Sequence, residues 1–122
     1  MGVVAVSLGK EVKVMVKSIE GESNFETIVL QAKSPVFVDF WAQWCGPCLA
    51  TAPVVEELST EYAGKMDFAK VDVDANGPLA AKYGIASIPT MIVFRGGQPV
   101  QQIVGYRAKK ELKQVLDDVL EQ

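Results

Sequence analysis

Apolar and polar side chains alternate along this chain with two periods, one near 2 and one near 3.6, and the switches between them predict its elements. Residues 1–12, Met1 to Val12, have an apolar pattern that fits either an added edge strand or a frayed tail, and they are set apart as an N-terminal extension of a domain spanning residues 13–122. From Glu11 to Lys17, Val12, Val14 and Val16 recur at every second position, with Met15 the one apolar residue on the alternate positions, as in a half-buried strand. Ser23-Asn24-Phe25-Glu26 matches a capping box, predicting a helix from Asn24 to about Ala32 with Phe25, Ile28 and Val29 toward the core, broken by Ser34-Pro35. Val36 to Trp41 is apolar on both faces, the mark of a central strand covered on both sides. A helix follows from Leu49 to Tyr62, with Val54, Val55, Leu58 and Tyr62 on one stripe, a kink expected at Pro53 and a stop at Gly64. Phe68 to Val73 reads as a second buried strand, and Leu79 to Tyr83 as a short helix after a polar loop. Thr90–Phe94 and Pro99–Val104 flank Arg95-Gly96-Gly97-Gln98, a hairpin signal. Lys109 to Glu121 closes the chain as an amphipathic helix with Leu112, Val115, Leu116 and Val119 facing inward. The order βαβαβαββα predicts an α/β fold: a central mixed β-sheet with helices on both faces. No internal repeat, linker or low-complexity tract is visible.

Composition narrows the classes. With 122 residues the chain can bury one core, and 49% hydrophobic against 22% charged residues is the balance of an ordinary globular domain. A net charge of −3 and only two arginines, Arg95 and Arg107, leave no basic patch, so no nucleic-acid partner is expected. No apolar run reaches membrane-spanning length, and no membrane association is expected. The absence of histidine excludes every histidine-based triad and leaves carboxylates, lysines or water as general bases. Val3 to Leu8 is too short for a secretory core and follows no basic residue; the lack of arginine before Arg95 argues against a transit peptide. Met1-Gly2 invites myristoylation, yet Val6 stands where that signal needs Ser or Thr. A cytoplasmic location follows as the expectation, and there a lone CxxC is more often catalytic than structural.

Both cysteines lie in Trp44-Cys45-Gly46-Pro47-Cys48, between the central strand and the helix. Cys45 therefore stands where orphan N–H groups and the positive end of a helix dipole favour a thiolate, and Cys48 one turn further in, placed to attack a mixed disulfide. Gly46 permits the turn, and Pro47 suits a first helical turn. A structural zinc site would need four ligands, and the chain offers no histidine and no second cysteine pair. A purely structural disulfide across two residues would constrain the unfolded chain little. Thiol–disulfide exchange is the stronger reading, with Cys45 as nucleophile, Cys48 as resolving thiol and the pair as a redox-active disulfide. Asp39 is the one carboxylate in the apolar run before the cysteines; burial would raise its pKa and suit it to proton exchange near neutrality, whereas a solvated strand-end aspartate would do nothing. Lys70, on the neighbouring strand, could pair with Asp39 or be a plain surface lysine.

The stretch Val38-Asp39-Phe40-Trp41-Ala42-Gln43-Trp44-Cys45-Gly46-Pro47-Cys48 resembles the active-site signature of the thioredoxin family. The likeness continues through Lys70-Val71-Asp72, Tyr83-Gly84-Ile85, Ile88-Pro89-Thr90, Phe94-Arg95-Gly96-Gly97 and Val104-Gly105, covering roughly residues 14–122. It implies the three-layer α/β/α thioredoxin fold and a protein-disulfide reductase that acts as an electron carrier in cell redox homeostasis, with no cofactor and no metal of its own. The partners it implies are disulfide-containing target proteins and a thioredoxin reductase, NADPH- or ferredoxin-linked, with the chain acting as a monomer. It further implies that Asp39 exchanges a proton with Cys48, directly or through water. It makes Ile88–Pro89 a cis bond opposite the cysteines, leaving Ile88 backbone open to an extended substrate, where a trans proline would only start a strand. Trp44, Gly46, Pro47, Ile88 and Gly105 would then form a flat apolar substrate-binding rim, with Trp41 beneath it.

The departures from the family pattern lie on the docking face. Leu49 stands where many members carry Lys or Arg, and Ala86 and Ser87 where some carry a basic residue. They bear on partner choice and leave the cysteine chemistry alone. An oxidase or isomerase on the same fold is disfavoured by the Gly-Pro dipeptide, since such relatives usually place a histidine between the cysteines. A binding subunit using the fold as scaffold is weakened by the intact set of Cys45, Cys48, Asp39 and Pro89.

Overall fold

The structure, a computed structural model, describes residues 3–7 and 10–122, with side chains described from Met15 onward. Of the expected N-terminal extension, Met1, Gly2, Leu8 and Gly9 lie outside the described residues. Strands β1 (Val3–Ser7) and β2 (Lys10–Val14) pair antiparallel, Val3 opposite Val14, in a two-stranded sheet of their own. Strand β3 (Val16–Ser18) belongs to the main sheet. The single strand expected over residues 11–17 is therefore two. Val12, Val14 and Val16 keep a period of two across Met15 while the hydrogen-bond partner changes: β2 pairs with β1, and β3 runs parallel to β5 (Asp67–Asp72). At the break the Met15 N–H donates to Ser59 Oγ at 3.1 Å.

The main sheet has the order β3-β5-β4-β6-β7, with β4 spanning Val36–Trp41, β5 Asp67–Asp72, β6 Thr90–Arg95 and β7 Gln98–Val104. Strands β3, β5 and β4 are mutually parallel, and β6 and β7 add antiparallel. Strand β4 is central and buried from Val36 through Phe40, as its unbroken apolar run requires. Its side chains divide two cores. Val36, Val38 and Phe40 join Phe25, Val29, Val71, Leu79 and Phe94 on the face covered by helices α1 (Glu22–Phe25) and α3 (Gly77–Lys82). Phe37 joins Val55, Leu58, Phe68, Met91, Leu112 and Leu116 on the other face, under α2 (Gly46–Glu61) and α4 (Lys109–Leu120). By the two-residue period, Asp39 and Trp41 share the face of Phe37, toward α2.

Local chemistry adjusts several expected boundaries. Helix α1 starts at Glu22 and its N-cap is Gly21, whose φ of +89° costs glycine little, so the capping box at Ser23 does not form. The entering N–H groups find asparagines instead: Glu20 donates to Asn24 Oδ1 at 2.8 Å and Gly21 to Asn76 Oδ1 at 2.9 Å. Beyond Phe25 the helix widens into a π turn over Glu26–Leu30. Helix α2 runs on through Pro53, which is exposed and leaves the Leu49 carbonyl without its usual donor. In the β6–β7 hairpin Gly96 and Gly97 take φ of +58° and +79°, the two-residue turn that matches strand twist. A bulge beside it sets Phe94 opposite Pro99 and Val93 opposite Gln101; the edge position of β7 accommodates that proline.

Candidate active site

The site lies where β4 ends and α2 begins. Cys45 is the N-cap of α2, in extended conformation, and its Sγ accepts the Cys48 N–H at 3.2 Å. One of the orphan donors of the helix start is thus spent on the sulfur, in the field of the helix dipole. Gly46 and Pro47 occupy the first two helical positions, and Thr51 Oγ1 donates to the Pro47 carbonyl at 2.9 Å. Cys45 and Cys48 are joined in a disulfide with their Cα atoms 5.2 Å apart. Cys45 is 5% exposed and Cys48 1%, so the first cysteine is the more accessible residue. Together with buried Ala42 they pack against Trp41, Val73 and Ile88.

A loop brings in the opposite wall. The Ile88–Pro89 bond is cis, and the Ile88 carbonyl oxygen lies 3.7 Å from Cys45 Sγ. The Pro89 carbonyl accepts the Gly105 N–H at 2.8 Å, and Gly105 sits at φ +89°. Ile88, Pro89 and Gly105 are therefore held as one unit against the cysteines. On the near side Trp44 is 70% exposed, and its Nε1–H donates to Asp74 Oδ2 at 2.8 Å.

On β4, two residues before its end, Asp39 is buried between Lys70 on β5 and Met91 on β6, its register partners. Its Oδ1 has no hydrogen-bond partner among the described residues, nor has the buried Trp41 Nε1. Burial pushes the Asp39 carboxyl up from 3.8 to about 7, against the Lys70 charge, which pulls it down. The Lys70 ammonium itself stands over the Trp41 ring, 5.3 Å from its centroid. Among the described residues no three His, Cys, Asp or Glu side chains converge as metal ligands, and no helix is long and apolar enough to cross a membrane.

The structure thus gathers Cys45, Cys48, Trp44, Gly46, Pro47, Ile88, Pro89 and Gly105 around one disulfide, with Asp39 and Lys70 opposite each other on β4 and β5. Sequence reasoning missed Asp74 and Asn76. The polar loop after β5, beside the cysteines by topology, was the available signal for Asp74. Asn76 joins two loops, accepting from Gly21 and donating to the Asp72 carbonyl at 3.1 Å, a pairing across the chain that no local pattern announces.

Comparison with known proteins agrees with this geometry. The thioredoxin family model matches residues 16–118. A thioredoxin of Alicyclobacillus acidocaldarius subsp. acidocaldarius is 48% identical over 100 residues, covering 82% of this chain and 94% of that protein. A thioredoxin of Staphylococcus aureus (strain N315) is 59% identical over 80 residues, 66% of this chain and 77% of that protein. A match of that extent, together with a Cys45–Cys48 disulfide at a helix start facing a cis-proline loop, means that the chain belongs to the thioredoxin family and reduces protein disulfides by dithiol–disulfide exchange.

Proposed function

We propose that Cys45 is the attacking thiolate and Cys48 the resolving thiol. The Cys45 thiolate attacks one sulfur of a target disulfide, forming a mixed disulfide and expelling the other target sulfur as a thiolate, which is then protonated. Cys48 loses its proton and attacks Cys45 Sγ; the mixed bond breaks, the target leaves as a dithiol, and two electrons have passed from this chain to it. The observation that supports this order best is Cys45 at the helix N-cap with the Cys48 N–H on its sulfur, since that donor stabilises negative charge on Cys45 alone.

Asp39 takes the Cys48 proton in this reading. A carboxyl pushed up to about 7 is matched to proton exchange near neutral pH. The Lys70 charge then favours the ionised carboxylate once the proton has left. Trp44, Gly46, Pro47, Ile88, Pro89 and Gly105 form the rim on which the target segment lies, with the Ile88 backbone pairing it as an added strand.

As a family member the chain receives its electrons from a thioredoxin reductase and passes them to disulfide-containing proteins. We infer further that the reductase is NADPH- or ferredoxin-linked and that the chain works as a cytoplasmic monomer. The test of the cysteine roles is trapping. Incubated with a disulfide-bonded protein, Cys48→Ser accumulates a mixed disulfide on non-reducing gels, because the resolving thiol is gone, and Cys45→Ser accumulates almost none. Equal trapping by the two variants would overturn the assignment.

A further inference from the structure

Among the large apolar side chains left exposed, two bracket the cysteines: Trp44 before them and Leu49 after them, the latter 54% exposed. Leu49 lies four residues beyond Cys45, which puts it one turn along the same side of α2, and its N–H donates to the Cys45 carbonyl at 3.1 Å. Gly46, Pro47, Ala50 and Pro53 are exposed beside it. No charged residue occurs from Ala42 to Val55; Glu56 is the first. Across the disulfide, Val104 and Tyr106 are exposed on either side of Gly105. The charged side chains at the margins are positioned by neutral groups: Asp74 accepts from Trp44, and Arg107 Nη1, beside Gly105, donates to the Val104 and Tyr106 carbonyls, each at 3.0 Å.

We propose that Leu49 sets substrate specificity, so that the chain prefers target disulfides with an apolar residue beside the attacked cysteine over those with an acidic one. This deepens the reductase reading and rests on it. The surface is continuous with the dithiol, so a target whose sulfur reaches the barely exposed Cys45 must lay its neighbouring residue near the first turns of α2. An apolar side chain there covers Leu49 and removes both from water. A carboxylate loses hydration against the Leu49 side of α2, which carries no charged residue before Glu56. Partial burial of a leucine-sized contact corresponds to a preference of about tenfold in rate constant.

The experiment uses two disulfide-cyclised peptides differing only in whether Leu or Glu follows the attacked cysteine. Pre-reduced full-length protein is mixed with each, acid-quenched, and the second-order rate constants are divided by those of dithiothreitol with the same peptides. Wild type gives a Leu/Glu ratio of about 10, and Leu49→Met keeps it. Leu49→Gln lowers it to within about twofold of unity and Leu49→Lys inverts it by attracting the carboxylate. A wild-type ratio near 1, or a ratio that survives in both Gln and Lys variants, overturns the proposal. Hydroxyethyl disulfide, which has no flanking residues, separates the two levels: failure of wild type to reduce it would sink the reductase reading, whereas its reduction with no peptide preference sinks only the role of Leu49. Sedimentation of the oxidised protein covers the remaining occupant, because self-association that Leu49→Gln abolishes would assign the patch to a second copy and overturn the proposal.

Discussion

Replacing Asp39 by Asn tests the electrostatics and the chemistry of the site together. The wild-type carboxyl is buried, its Oδ1 lacks a hydrogen-bond partner, and its pKa stands at about 7 against an ordinary 3.8. The folded state therefore binds this proton more tightly than the unfolded chain does. The sign follows: no penalty exists below the unfolded value, and the penalty grows as pH rises until it is complete above the folded value. Each tenfold change in proton affinity is about 1.4 kcal/mol, so ionisation of Asp39 costs the fold about 4 kcal/mol at pH 7 and about 0.5 kcal/mol at pH 4. The asparagine amide is a buried polar group much like the protonated carboxyl, though its extra N–H without an acceptor takes back about 1–2 kcal/mol. Asp39→Asn should accordingly stabilise the oxidised protein by about 2–3 kcal/mol at pH 7, with the gain gone or reversed at pH 4. Guanidinium unfolding at both pH values measures it. The same variant should reduce protein disulfides more slowly, with the loss carried by the step that resolves the mixed disulfide. A variant less stable than wild type at pH 7 would mean that the Lys70 charge outweighs desolvation, and the proton-acceptor role would fall with it.

Other outcomes follow from particular contacts. Gly97→Ala forces an L side chain into φ +79° and sets a Cβ 3.0 Å from the Leu30 carbonyl oxygen, so it should cost about 1–2 kcal/mol in chemical denaturation while leaving the disulfide-exchange rate as it is. Tyr62→Phe removes the 2.6 Å bond to Asp117 Oδ1 and should cost about 1 kcal/mol, read as a shift in unfolding midpoint. In the wild type, burial and the neighbouring Asp117 raise the Tyr62 phenol, so its phenolate absorbance should emerge only at higher pH than that of free tyrosine.

Much of the fold was legible because its signals are local. Val36 to Trp41 is an unbroken apolar run and became the central strand; Leu112, Leu116 and Val119 repeat at helical spacing and are buried. The site was legible for the same reason: both cysteines, the glycine-proline turn and the lone aspartate of β4 lie within ten residues of one another. What escaped depends on distant partners. Nothing near Met15 says that hydrogen bonding passes there from β1 to β5, because both strands share one period. Ser23 and Glu26 carry a capping pattern, but Gly21 turns the chain first and Asn76, 55 residues away from it, takes the donor. Lys70 stands opposite Asp39 in register, on the neighbouring strand expected for it, yet its ammonium rests on Trp41, an arrangement set by two strands at once.

The two ends of α2 are held very differently. Its last turns are strapped to α4 by the Tyr62 hydroxyl on Asp117, by Lys109 on Glu57 and Glu61, and by Lys113 on Glu61. Its first turns carry no ion pair, and Pro53 gives no N–H to the Leu49 carbonyl between the two regions. The helix is in effect a cantilever, anchored at the far end and loaded at the tip. Each catalytic cycle makes and breaks a bond between residues 45 and 48, and the sulfurs must part by more than an ångström when it opens. No ion pair has to break for the first turns to take up that displacement, whereas moving the last turns would strain the Tyr62, Lys109 and Lys113 contacts between α2 and α4 together.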